Sequence, residues 1–235
     1  MRIRPVLLLA AAGIFPVAAD APSPFLDETL HYTVNWPSGL SLGEGQMSAK
    51  LIRGNNGESD HWSFELDLDA SVPGYSVKER HRATATPAFC SIEFDKSFTR
   101  GKRKAEEKVK FDPQGGTAER VTQGGGGKSQ IQVSACAKDA LTFLYYVRSE
   151  LARGRVPPPQ IVVFGAPYQV HFEYRGAQML RIGESQEEAD KLVAAIQGPK
   201  SQISVELYFA RDPARTPLRV RLPLALGVFS LEIVR

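Results

Sequence analysis

Hydrophobic and polar residues alternate along most of this chain, which is the pattern of β-strands with one buried and one solvated face. In residues 61–71, Trp62, Phe64 and Leu66 alternate with Ser, Glu and Asp residues, and residues 28–36 follow the same rule. Clusters of Gly, Pro, Asn and Asp separate these runs at the spacing expected of turns. The pattern therefore predicts an all-β protein built as an antiparallel sandwich or barrel.

The chain ends in two apolar, strand-like runs. A turn at Asp212 and Pro213 precedes the first run, which begins at Leu218, and Gly227 separates it from the second. Most alternating positions in these runs are Leu, Val, Ile or Phe, so they carry little chemistry. We interpret this terminal hairpin as an element that closes or extends a large sheet.

A single segment departs from the strand pattern and predicts a helix of about 13 residues. Asp139 is a suitable N-cap for it and Gly154 a suitable end. Apolar side chains surround this helix on nearly every side, and Phe143 and Tyr146, three residues apart, share one side of it. Two interpretations remain open. The helix is either a core element gripped by a curved sheet, or part of its aromatic surface lines a cavity.

Residues 186–197 carry conflicting patterns. Ser185 and Glu188 form a capping-box start, and the apolar residues that follow recur at helical spacing. Every second residue from Leu192 to Ile196 is also apolar, as in a strand that would form a hairpin with the next run. The local sequence favours a helix, but the residues alone leave helix and strand open.

The N-terminus predicts a secretory signal peptide. Arg2 and Arg4 give it a positive start, a short apolar stretch follows, and small residues precede a cleavage point near Ala19. The apolar stretch is too short to cross a bilayer, and no later segment reaches the roughly 18 apolar residues of a transmembrane helix. We therefore expect a signal peptide at 1–19 and one β-rich envelope domain over 20–235, periplasmic or secreted.

Removal of the signal peptide leaves an almost neutral protein. Two of the 29 Lys and Arg residues are lost with it, which leaves 27 against 26 Asp and Glu residues and a net charge of +1. A near-neutral chain has no electrostatic basis for binding nucleic acid. We therefore expect no nucleic-acid partner.

The chain contains two cysteines, Cys90 and Cys136. In an oxidising compartment the default prediction is one disulfide between them. Two separate buried thiols are the alternative, because pairing cannot be proved from sequence. Two cysteines without a nearby histidine cluster do not make a zinc site.

A search for catalytic motifs gives no enzyme class. The chain lacks a Gly-x-Ser-x-Gly elbow, a His-Glu-x-x-His pair, a phosphate-binding loop and a dinucleotide fingerprint. Its four histidines lie in strand-like runs with no histidine four residues away: His31, His61, His81 and His171. We therefore predict no catalytic residue, no metal site and no cofactor.

Three polar stretches have both a functional and an ordinary interpretation. Residues 124–129 contain GGGGKS without phosphate-loop spacing and predict a hairpin tip. Residues 101–110 are a charge run, either a contact for anionic lipid or a solvated hairpin whose charges discourage edge pairing. Glu65, Asp67 and Asp69 either bind Ca²⁺ or form the solvated face of a strand, and the second interpretation is the simpler one.

Three stretches together resemble a known family. A glycine-containing stretch at 39–45 follows the first strand, the helix at 139–148 lies mid-chain, and the turn at 212–218 precedes the closing hairpin. This set resembles secreted bacterial proteins catalogued as domain of unknown function 3108, over essentially the whole mature chain. The resemblance implies an envelope β-protein of unassigned activity, in which the segment matching 188–197 is a strand. Its sheet is similar to the half-barrels of lipoprotein carriers, which is an analogy of fold alone.

Pattern and resemblance together predict one central helix and a large curved antiparallel sheet, or half-barrel, wrapped on it. Three functions fit this fold. The first is binding of a lipid or another apolar ligand at Phe143, Tyr146, Trp62 and Phe64. The second is a structural or partner-binding envelope protein with a packed core, and the third is a hydrolase without a recognisable motif. We rank them in that order, and no pattern in the chain predicts the ligand or the oligomeric state.

Overall fold

The computed structural model describes residues 25–55, 57–124, 126–198, 201–224 and 227–235. Within these residues fifteen strands form one sheet, accompanied by one helix. The predicted fold class, a large curved sheet with a central helix, is therefore confirmed. The predicted signal peptide lies outside the described residues and stays a prediction.

The first half of the chain contributes eight strands and the second half the helix and seven more. The first eight are β1 Glu28–Asn35, β2 Ser41–Ile52, β3 His61–Val72, β4 Tyr75–Ala85, β5 Ser91–Arg100, β6 Arg103–Asp112, β7 Thr117–Thr122 and β8 Gly127–Gln132. The second half holds β9 Lys138–Asp139, α1 Ala140–Ala152, β10 Gln160–Val163, β11 Pro167–Ile182, β12 Ser185–Gln197, β13 Gln202–Ala210, β14 Pro217–Leu224 and β15 Gly227–Ile233.

The strand order places the first and the last described strands, β1 and β15, next to each other in the middle of the sheet. It runs from β8 back to β1, then from β15 back to β9, and among the described strands only β9 and β10 pair in parallel. Tyr32 of β1 lies opposite Ile233 of β15, and Val34 lies opposite Leu231. We had predicted that the apolar terminal hairpin closes the sheet or extends it. This prediction was wrong, because β14 and β15 lie in the middle of the strand order. The hairpin joins the two halves, and this central position explains why it is so apolar.

The sheet has an apolar face and a polar face. Residues directly opposite one another on paired strands point to the same side, so the register assigns each side chain to a face. We call the side of Phe64 the apolar face and the side of Glu65 the polar face. Helix α1 packs on the apolar face against β3, β4, β9 and β10. It lies near the strand ends that carry Trp62 and Leu218, which we call the helix-covered end; the opposite strand ends are the distal end.

Asp139 starts the helix as predicted. Its carboxylate accepts hydrogen bonds from the backbone N–H groups of Leu141 and Thr142 at 2.8 and 2.9 Å, and from the Thr142 hydroxyl at 2.6 Å. The Ser91 hydroxyl of β5 donates a fourth, at 2.5 Å. Burial nevertheless raises the pKa of Asp139, because the side chain is fully enclosed. The cap therefore fixes the helix start to β5 as well as satisfying its free N–H groups.

The predicted disulfide between Cys90 and Cys136 is present, with a Cα–Cα distance of 4.6 Å. It lies beside the capped helix start, where the Ser91 N–H donates to the Ala137 carbonyl at 2.9 Å. Together the bond and this contact hold the segment before the helix against the start of β5.

Residues 185–197 form strand β12, as the family resemblance implied and against the local helical pattern. Leu192 and Ala194 are buried between β11 and β13, with Phe172 opposite Ala194 on one side and Leu207 opposite Leu192 on the other. Pairing on both edges outweighs the helix propensity of the segment, because tertiary packing routinely overrides such preferences.

The two halves of the sheet also touch away from the β1–β15 junction. Arg120 of β7 donates to the Gly165 carbonyl in the β10–β11 turn at 2.9 Å and to Glu107 of β6 at 2.8 Å. These contacts connect strands that are far apart in the strand order. The open sheet is therefore curved enough to bring its two outer parts into contact.

Candidate ligand-binding site

Trp62 and Phe64 belong to an aromatic cluster beneath the helix. Their side chains are 3% and 1% exposed, and the Phe64 ring stacks on Tyr145 of the helix with centroids 4.1 Å apart. Phe25 and Phe89 complete the cluster, at 5.5 and 6.0 Å from Trp62. Protein side chains therefore occupy the space around both predicted ligand-contact residues.

Phe143 and Tyr146 lie on a neighbouring side of the helix and stack on each other at 6.3 Å. Phe143 is buried against Phe172 of β11 at 5.7 Å, whereas Tyr146 is half-buried under the Lys138 ammonium, 4.4 Å from its ring. The Tyr146 ring also lies 6.4 Å from Phe89. The structure therefore brings the four predicted residues into two adjoining clusters, and ligand contact at them stays a prediction.

Arg148 is a buried charge on the otherwise apolar helix, and sequence analysis missed its role. It is fully enclosed and pairs with Glu28 of β1 through both carboxylate oxygens, with one N–O distance of 2.9 Å. It also donates to the Ala214 carbonyl at 3.0 Å and lies 4.9 Å from the ring centres of both Phe25 and Tyr145. Burial alone would lower the pKa of Arg148, but the Glu28 carboxylate outweighs burial and raises it.

Burial on the apolar face declines from the helix-covered end to the distal end. On β3, Phe64 is buried and Leu68 half-buried; on β14, Leu218 is fully buried and Leu222 half-buried. Burial declines in the same direction on β2, β12, β13 and β15. We call the half-buried set the distal apolar strip: Val34, Trp36, Leu66, Leu68, Ile196, Ile203, Val220, Leu222, Phe229 and Leu231.

The distal apolar strip is continuous across strands. Val34 lies opposite Leu231, which lies opposite Val220, and Phe229 lies opposite Leu222. The Trp36 ring meets Phe229 edge-on at 4.9 Å, which extends the strip to the turn after β1. These side chains therefore form one partly exposed apolar surface at the distal end, and six of them also pack against the buried clusters that include helix residues.

Three cations surround the Phe98 ring of β5, on the same face as the strip. The Lys96 ammonium lies 5.7 Å from the ring centre, and the guanidinium groups of Arg100 and Arg103 lie 5.0 and 5.6 Å from it. The register runs from Leu68 through Glu79 to Phe98, so the cations begin two strands from the strip.

Glu79 balances one of these cations. Arg100 donates to it at 2.7 Å, and His81 lies within hydrogen-bond distance at 3.2 Å. Burial alone would raise the pKa of Glu79, but the hydrogen bonds from His81 and Arg100 outweigh burial and lower the pKa to about 2. The carboxylate is therefore ionised at neutral pH and neutralises part of the cationic group.

The polar face carries a wide groove of about 1120 Å³ across β1 to β6. Its walls are two rows of polar side chains, and cross-strand ion pairs join many of them. Lys78 contacts Asp69 at 2.7 Å and Arg80 contacts Asp67 at 2.5 Å. The predicted carboxylate row therefore lies on an ion-paired polar face, opposite the face that the helix covers.

A sequence model of the family described as "Protein of unknown function (DUF3108)" matches residues 31–234. The chain belongs to this family. Among curated proteins none matches the DUF3108 chain by sequence. Its fold is similar to the crystal structure of a beta-barrel-like protein of domain of unknown function DUF1849 from Brucella abortus, with a TM-score of 0.60 and 9% identity over 90% of this chain and 97% of the other. At that identity the similarity concerns the fold alone.

We also searched the described part of this DUF3108 chain for metal sites and membrane-spanning helices. Within it, no group of three or more His, Cys, Asp or Glu side chains is placed to hold a metal ion. No helix of the described residues is long and apolar enough to span a membrane. Neither the family description nor the similar structure names an activity.

Sequence analysis identified part of the distal apolar strip without recognising it as a site. The alternation of β3 marks Leu66 and Leu68 as facing the same side as Phe64. Which end of that face lies under the helix depends on contacts between residues far apart in the chain.

Proposed function

We propose that this protein is exported to the bacterial cell envelope and binds a long apolar chain, such as a lipid acyl chain, on the distal apolar strip. The decline of burial along the central strands carries the proposal. On β14 the same residue type is fully enclosed at Leu218 and half-buried at Leu222, so the apolar face continues where the helix does not cover it.

An apolar chain on this strip gains free energy by leaving water. Each buried CH₂ contributes about 0.8 kcal/mol, so a long acyl chain needs only partial coverage to bind. Contiguous exposed apolar surface on a protein marks an interaction site more often than scattered apolar residues do. The strip meets this description because its residues are direct cross-strand neighbours, as Leu222 and Phe229 are.

The strip is a better location for the ligand than the aromatic cluster under the helix. Trp62 and Phe64 already stack on protein rings, so a ligand there would have to displace Tyr145 or Phe89. Strip residues such as Leu231 retain exposed surface. The proposal therefore keeps the apolar ligand of the sequence hypothesis and moves its main contacts to the distal end.

Export is supported by two features of the chain. The N-terminal residues have the charged and apolar pattern of a signal peptide. The Cys90–Cys136 disulfide is typical of proteins that fold in oxidising compartments. Mass spectrometry of the protein from a periplasmic fraction tests this part of the proposal, with an N-terminus near residue 20 as the expected result.

The filled core beneath the helix favours a second candidate, an envelope protein that binds a protein partner and no lipid. The stacked rings of Phe64 and Tyr145 are what a purely structural core requires. On this alternative the strip is a docking surface for another protein, and purified protein binds no acyl chain.

Titration of the delipidated mature protein with a fluorescent fatty acid tests lipid binding. We expect a saturable signal, and at least about tenfold weaker binding by the Leu222→Gln/Phe229→Gln variant, because two adjacent apolar contacts are lost. The matched control is Arg221→Gln/Ser230→Gln, the directly paired neighbours on the polar face, which should bind as the wild type does.

Thermal unfolding of each variant confirms that the proteins compared are folded. If the folded wild type gives no saturable signal, or if both double variants bind equally well, the lipid proposal is wrong. A wild type that binds no lipid, together with a large loss of thermal stability in Phe143→Ala, would favour the structural alternative.

A further inference from the structure

We infer that the apolar strip leads to an anionic head-group site at Lys96, Arg100 and Arg103, so that the ligand is a long-chain fatty acid whose carboxylate lies beside Phe98. This inference rests on the proposed function and narrows it to one class of ligand. The cations and the strip share one face of the sheet, and the register places them in line.

A single cross-strand row connects the two parts. It begins at Arg103 and Arg100, which lie opposite each other on β6 and β5, and passes through Val77 on β4. The row continues through Ala70 on β3 and Gly43 on β2. It ends in the strip, at Val34, Leu231 and Val220 on β1, β15 and β14. Neighbouring strands are about 4.8 Å apart, so Arg100 and Val34 are separated by roughly 19 Å along the row. A chain lying along it would have a charged end and an apolar end.

The cationic end carries more positive charge than its neighbours neutralise. Arg100 is paired with Glu79, and Glu107, which lies opposite Lys96, is paired with Arg120. Among the described residues, Lys96 and Arg103 have no carboxylate within ion-pair distance. The site therefore has two positive charges available to an anion.

The Phe98 ring holds these charges close together. Cations within about 6 Å of an aromatic ring centre are attracted by its electron-rich face, and Lys96, Arg100 and Arg103 all lie inside that distance. Three like charges around one ring repel one another, and an anion between them relieves that repulsion. A fatty-acid carboxylate supplies the anion together with the chain that the strip binds.

Binding of palmitic acid and of the uncharged alcohol of equal chain length tests the inference. Each is titrated, below its aggregation concentration, by displacement of an uncharged fluorescent apolar probe from the full mature protein. We expect the wild type to prefer the acid by at least about tenfold, as charge-assisted hydrogen bonds are worth about 1.5–3 kcal/mol each. The Lys96→Gln/Arg103→Gln variant should lose this preference and still bind the alcohol.

The matched control is Lys102→Gln/Lys104→Gln, which removes the same charge from the adjacent turn and from the polar face, where Lys104 lies opposite Thr99. It should keep the preference for the acid. High salt should reduce that preference in the wild type, because it screens exposed charges.

The outcomes separate the two proposals. Equal binding of acid and alcohol by the wild type overturns the fatty-acid inference and leaves apolar binding intact. A preference that survives in Lys96→Gln/Arg103→Gln also overturns it. Binding of neither compound contradicts the proposed function, and the inference fails with it.

Discussion

The two ends of the apolar face are built from the same strands and differ in almost every other respect. At the helix-covered end, Phe64 stacks on Tyr145 and the enclosed Arg148 pairs with Glu28. At the distal end the apolar side chains are half-buried, and exposed cations lie beside them. One end is therefore a packed core, and the other is the partly exposed surface to which we assign ligand binding in our proposal.

If the proposed function is correct, stability and binding are located in different parts of one sheet. The disulfide, the Asp139 cap and the buried ion pair all hold the helix to the covered end. Functional surfaces are commonly drawn from the less protected parts of a protein, which can change contacts without global unfolding. Substitutions at the two ends of the apolar face test this division.

Removal of Glu28 should give the largest effect, at the covered end. Glu28→Ala leaves the enclosed Arg148 without its carboxylate, and breaking one partner of a buried ion pair costs about 3–5 kcal/mol. Urea unfolding followed by circular dichroism measures the loss. Ligand binding by the fraction that remains folded should be unchanged, since the pair lies away from the strip.

The control removes both charges. Glu28→Ala/Arg148→Met replaces the pair by apolar groups, and such replacements are often neutral for stability. We expect the double variant to recover most of the stability that Glu28→Ala loses. If single and double variants are equally destabilised, or if the single variant loses less than about 1 kcal/mol, the ion pair does not hold the helix as we describe.

Two leucines on β14 provide the next test, because they differ in little except their position along the strand. Leu218 is fully enclosed and Leu222 is half-buried. Leu218→Ala should cost about 2–5 kcal/mol of unfolding free energy, as for buried leucines in general. Leu222→Ala should cost about 1 kcal/mol and weaken fatty-acid binding. Similar losses of stability at both positions would remove the distinction between the two ends.

Local features of this fold could be predicted from the sequence because each has a short-range cause. The alternation of β3, the Asp139 cap and the end of the helix near Gly154 all depend on neighbouring residues. The Cys90–Cys136 bond was predicted from the expected compartment, and no other pairing within the chain was possible.

Long-range features could not be predicted, because they depend on residues that are far apart in the chain. The pairing of β1 with β15 unites residues almost 200 positions apart, so the terminal hairpin was placed wrongly. The local pattern of 185–197 indicated both a helix and a strand and favoured the helix, whereas the family resemblance favoured the strand that is present. The pairing of Arg148 with Glu28 has no local trace in the sequence, and nothing local shows which part of the apolar face the helix leaves half-buried.

We expect a smaller effect than those of Glu28→Ala and Leu218→Ala for Glu79, which lies next to the cations at the distal end. The pKa of Glu79 in the folded protein is about 2, against its ordinary value of 4.5. A carboxyl group with a lowered pKa stabilises the folded state above its ordinary pKa, and this contribution is lost as the pH falls towards the folded value. The contribution is therefore complete above about pH 4.5 and disappears between there and pH 2.

We expect Glu79→Gln to lower the unfolding free energy at pH 6 by on the order of 2 kcal/mol and to match the wild type near pH 2. Urea unfolding at several pH values measures both quantities, with Glu44→Gln, which changes an exposed carboxylate of the polar face, as the control for the loss of one charge.

Glu79→Gln also frees Arg100, so it should strengthen the preference for a fatty acid over the alcohol. A stability difference that does not vary with pH would mean that Glu79 is not held ionised by Arg100 and His81. An unchanged ligand preference would mean that Arg100 takes no part in the head-group site, and that the contrast between the two ends does not extend to the cations.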